Sequence, residues 1–79
     1  MSDKVILGQA AVLRGQGKFK EAIDLVESKR DSFEPHLLVL ALLQAFYAAV
    51  EMKDDAKARV LAHEIAMTDP MMPSIKNYL

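Results

Sequence analysis

Two histidines, four serines and an aspartate pair are the residues of this chain whose types suit chemistry. His36 and His63 stand in separate segments with no carboxylate arranged at ligand spacing, so a surface or capping role is expected of them rather than metal binding. Asp54 and Asp55 invite an acid–base reading. They also open a helical pattern, where capping and the helix dipole favour carboxylates without any catalytic demand. Ser2, Ser28, Ser32 and Ser74 sit in no nucleophile motif, and the Gly15-Gln16-Gly17 turn lacks the strand and the downstream Gly-Lys of a phosphate loop. There is no cysteine, which removes thiol catalysis and thiolate metal ligands. The expectation is a non-enzyme without metal or cofactor.

The elements that would position these residues are helices. The run Leu37 to Val50, LLVLALLQAFYAAV, is apolar everywhere except Gln44, so a helix there must be covered on nearly all sides. It is shorter than the roughly 20 residues of a membrane span and meets Glu51, Lys53, Asp54 and Asp55 at once, so no membrane association is expected. With 79 residues there is room for one small domain, spanning 1–79, and few elements to supply the cover.

Punctuation cuts the chain into four helices and a tail. Ser2 and Asp3 are placed to cap a first helix running to Arg14, with Ile6, Ala10 and Leu13 on its inner face and Gly15 and Gly17 ending it. A second, from Lys18 to Ser32, turns Phe19, Ala22, Ile23 and Val26 inward. Pro35 starts a third, because its missing N–H costs nothing in the first turn; this helix carries the apolar run to Met52. Asp54 caps a fourth, ending near Thr68, with Ala58, Leu61, Ala62 and Ile65 as its stripe. Pro70 and Pro73 mark the exit, and SIKNYL is expected to fold back as a cap carrying Ile75, Tyr78 and Leu79. Met67, Met71 and Met72 are expected to close the core beneath that segment, the alternative being an adaptable surface for an apolar ligand.

Short connections imply an all-α fold of two antiparallel helical hairpins in series, 3–33 and 35–69, with a C-terminal cap at 70–79. The segment GKFKEAIDLVE at 17–27 resembles the turn and second helix of a tetratricopeptide repeat, in which glycine, an aromatic and alanine follow in this order. Lys57-Ala58-Arg59, then Ala66 and Thr68-Asp69-Pro70, resemble the same helix with its closing Asp-Pro. The second copy departs from the family pattern at Lys53 for glycine, Asp55 for the aromatic and Phe46 for a small residue.

The resemblance implies a right-handed stack whose first helices line a concave, partner-binding surface. Carried over by position, the lining is Lys4, Leu7, Ala11 and Arg14 from the first hairpin and Leu43, Tyr47, Val50 and Glu51 from the second. Leu7, Ala11 and Tyr47 occupy positions at which carboxylate-clamping members carry lysine or asparagine. The implied partner is therefore a protein offering an amphipathic helix or peptide, as for small tetratricopeptide-like chaperones of bacterial secretion systems.

An alternative reading makes the apolar surface the seam of a homo-oligomer, a homodimer being the simplest, used for assembly. A helix-turn-helix using Lys18, Lys20, Lys29 and Arg30 is disfavoured. These bases alternate with Glu21, Asp24, Glu27 and Asp31, and the net charge is -1, so no nucleic-acid partner is expected. The absence of cysteine, and a start without the pattern of a secretory signal, place the expected site of action in the cytoplasm.

Overall fold

The computed structural model describes residues 2–79 and is all-helical, with no strand among them. Helix α1 spans Asp3–Gly15, α2 Phe19–Ser28, α3 Pro35–Glu51 and α4 Asp55–Thr68, and 3-10 turns cover Arg30–Ser32 and Pro73–Tyr78. Each end has a local cause. The Ser2 hydroxyl accepts from the Val5 amide at 3.3 Å, and the Asp54 carboxylate accepts from Lys57 at 3.1 Å, so each satisfies an amide that the helix itself leaves unpaired. Replacing Asp54 with alanine is expected to lower stability by about 1 kcal/mol, read as a shift in the urea midpoint at unchanged slope.

Asp3 has a different role from the capping expected of it. Its carboxylate accepts from the Glu34 amide at 3.0 Å, tying the start of α1 to the residue that precedes α3. The second helix is also shorter than its pattern suggests: α2 ends at Ser28 and the chain tightens into the 3-10 turn. The Ser28 and Ser32 hydroxyls donate to the carbonyls of Leu25 and Lys29 at 2.9 and 2.8 Å, offering the backbone an alternative to a continued helix.

The turns that close α1 and α3 are the same turn. After α1, the Gly17 and Lys18 amides donate to the carbonyls of Arg14 and Leu13 at 3.0 and 2.9 Å; after α3, Lys53 and Asp54 donate to Val50 and Ala49 at 3.0 and 2.9 Å. Both are Schellman closures, which need one left-handed residue. Gly17 takes φ 78° without penalty, whereas Lys53 takes φ 61° against the clash of its Cβ. Lys53→Gly is therefore expected to raise stability by about 0.5–1 kcal/mol, and a melt showing a loss instead would place the cost of this turn elsewhere.

Helix α3 is the centre of the packing. It lies against α1, α2 and α4, while α1 also packs on α2, and α4 on the C-terminal 3-10 segment. Ala41, Ala45, Ala48 and Ala49 of α3 are buried, as are Ala22 of α2 and Ala58 and Ala62 of α4. Small side chains let helix axes approach while larger neighbours fill the grooves between them. Leu42, Leu43 and Phe46, with Leu61 and Ile65 of α4, supply that filling. The cover for the apolar run thus comes from the chain itself, and of its leucines only Leu40 is exposed.

The tail folds back as its pattern suggests and packs through Ile75 and Tyr78, whereas Leu79, expected beside them, is 50 % exposed. Ile75 is wholly buried and Tyr78 packs against the core, with the Phe46 and Tyr78 rings meeting edge to face at 5.2 Å between centroids. Met72 joins them; Met67 and Met71 are exposed and close nothing. Ile75, Tyr78 and Met72 take the places at the end of the core instead. No described helix is long and apolar enough to cross a membrane.

Candidate functional site

The four α1 residues expected to face a partner recur at turn spacing, so Lys4, Leu7, Ala11 and Arg14 share one side of that helix. Lys4 is exposed and the other three are half-buried, which leaves their side chains partly open to solvent. On α3, Tyr47 and Val50 are half-buried and Glu51 is exposed, but Leu43 is only 8 % accessible and belongs to the core. Packing of α1 on α3 brings the ends of the two stripes together.

Arg14 is the junction. Its Nε donates to Gln44 Oε1 at 3.0 Å, its Nη1 reaches Glu51 Oε1 at 3.5 Å, and its guanidinium carbon lies 5.3 Å from the centre of the Tyr47 ring. An arginine held over an aromatic face and fixed by two acceptors is oriented rather than mobile. The Tyr47 hydroxyl in turn shares a 2.7 Å hydrogen bond with Ser74 Oγ, which links this face to the C-terminal 3-10 segment. The half-buried residues of the two stripes, Leu7 and Ala11 on α1 and Tyr47 and Val50 on α3, thus stand on helices joined by the contacts of Arg14.

Gln44 and Ser74 were not among the residues expected here. Gln44 carried a signal, being the only polar residue in the apolar run, because a polar group in such a setting needs a partner. Ser74 carried none: its contact depends on how the tail folds back.

Elsewhere the charged residues make structural pairs. Lys57 pairs with Glu27, and Arg30 pairs with Glu64, joining α2 and the turn after it to α4. Arg30, a base in the disfavoured nucleic-acid reading, is thereby engaged by an acid. His36 Nε2 stands 3.6 Å from Glu34 Oε2 on the surface, and His63 is exposed. Among the described residues no group of three or more histidines and carboxylates is placed to hold a metal ion. No protein-family model, curated protein or solved structure matches this chain.

Proposed function

We propose that this chain is a non-enzymatic protein-interaction module of tetratricopeptide-like organisation, two helical hairpins in series, whose α1–α3 face takes an amphipathic helix or peptide from a partner protein. The observation that carries the reading is the composition of that face: half-buried apolar residues on α1 and α3 with a preoriented arginine and an accessible glutamate among them. Such a surface offers burial to an apolar stripe and direction to the charges beside it. The repeat organisation is supported by the identical turns at Gly17 and Lys53, which keep the same register as Ala22 and Ala58. A small chaperone or adaptor acting in the cytoplasm, shielding an amphipathic segment of its client, accords with these features and with the absence of cysteine.

Peptides selected by display against the folded chain test the assignment. Leu7→Glu and Tyr47→Glu are each expected to weaken the selected peptides at least about tenfold, with helicity checked by circular dichroism, because buried aromatic and aliphatic contacts dominate such interfaces. Val12→Glu, on another side of α1, leaves that affinity unchanged. Peptides that bind all three variants equally would remove the α1–α3 face from consideration.

A further inference from the structure

A further apolar groove lies on a different surface. It lies between the outer sides of α1 and α2, holds about 640 Å³, and is lined by Val5, Gly8, Gln9, Val12, Leu13 and Leu25. Val5 and Val12 stand 48 % and 58 % exposed, although both are β-branched apolar residues in a helix whose buried contacts use Ile6 and Ala10.

We propose that a second copy of this chain covers this face through a two-fold axis. The argument rests on a self-complementary order of residues. On α1, Val5 and Val12 lie equally far from the midpoint of Gly8 and Gln9, so an antiparallel copy sets each Val5 on the partner's Val12. On α2 and its C-cap, Glu21 and Lys29 lie four residues to either side of Leu25, about one turn from it in each direction. The same axis, passing Leu25, sets each Glu21 against Lys29 of the other copy. Leu25 lines the groove together with Gly8 and Gln9, so one axis serves both helices. Glu21 and Lys29 are exposed, and neither belongs to an ion pair among the described residues.

Gly8 is the independent observation. Glycine within a helix destabilises it relative to alanine, and a Cβ built at Gly8 meets nothing within 4 Å, so packing inside one copy does not call for it. Close approach of a second helix backbone does. The association uses a side of α1 other than the proposed peptide face, so either can hold without the other.

Sedimentation equilibrium of the full chain across the micromolar range tests the proposal, with folding of each variant confirmed by circular dichroism. The expected result is a reversible monomer–dimer equilibrium. Glu21→Lys alone and Lys29→Glu alone each raise the dissociation constant about tenfold, since the symmetry turns two attractive pairs into repulsive ones, and the combined exchange restores the parent value. Gly8→Leu abolishes the dimer while helicity in dilute solution is kept or increased. A chain that stays monomeric throughout the range overturns the proposal. So does a double exchange no better than the single ones, or association that continues past the dimer and is lost in Met71→Glu but not in Val12→Glu, which would indicate head-to-tail stacking instead.

Discussion

Phe46→Ala is expected to cost about 3–5 kcal/mol, the range for truncating a large buried aromatic. Domains of this length have a total stability of only about 4–12 kcal/mol, so the loss takes at least about a quarter of the total and at the low end all of it. Phe46 is 1 % exposed at the centre of α3. Its ring meets Tyr78 edge to face at 5.2 Å and Tyr47 at a tilt with centroids 5.7 Å apart. Removing it opens a cavity on α3 and also releases the aromatic contact that holds the C-terminal 3-10 segment. Urea titration followed by circular dichroism reads the first effect, and faster amide exchange in residues 73–78 reads the second. Phe46→Leu retains part of the volume and should recover part of the stability. An unchanged urea midpoint in the alanine variant would contradict the position of this ring at the centre of the core.

Ala58→Phe acts in the opposite direction, by adding volume where there is none. Ala58 is completely buried on α4, in a four-residue stripe with Leu61, Ala62 and Ile65 that is without solvent exposure. Overpacking a close-packed core costs about 1–3 kcal/mol for a few added carbons, and a phenyl ring in place of a hydrogen belongs at the upper end or beyond. The ring must push α4 away from its neighbours, and the Lys57–Glu27 and Arg30–Glu64 pairs that bridge to α4 separate with it. Those pairs are part-exposed and add little on their own, so the loss is a packing loss and should be insensitive to salt. A thermal melt with no loss of stability would mean that α4 does not lie closely on the rest of the fold.

The helices were legible in the sequence because their signals are local. Pro35 at the start of α3, Asp54 before α4 and the stripe Ala58, Leu61, Ala62 and Ile65 each act within one or two turns, and the structure has all of them in place. The end of α2 was less legible. Its apolar stripe gave no reason to stop at Ser28, and the stop arises where serine hydroxyls compete for backbone carbonyls. The methionines near the C-terminus show the same limit from another side. Apolar character alone favoured burial for all three, but once Ile75 and Tyr78 occupy the end of the core, Met67 and Met71 are left outside.

The candidate face divides in the same way. That Lys4, Leu7, Ala11 and Arg14 share a side of α1 follows from helical periodicity alone. Leu43 belongs to a comparable stripe on α3 but is core, because exposure depends on which neighbour lies over the stripe. Gln44, Glu51, Tyr47 and Ser74 become one network only when α1 and the tail are both set against α3.

The sequence by itself determined that the chain is helical, where its helices start and which residues share a side of each helix, since caps, prolines and a 3.6-residue period act over a few residues. Tertiary structure alone decided that Arg14 meets Gln44 and Glu51, 30 and 37 residues away, and that the outer sides of α1 and α2 stay uncovered. These outcomes depend on the distances and rotations between whole helices, which the packing of alanines and leucines along α3 sets and no local pattern encodes.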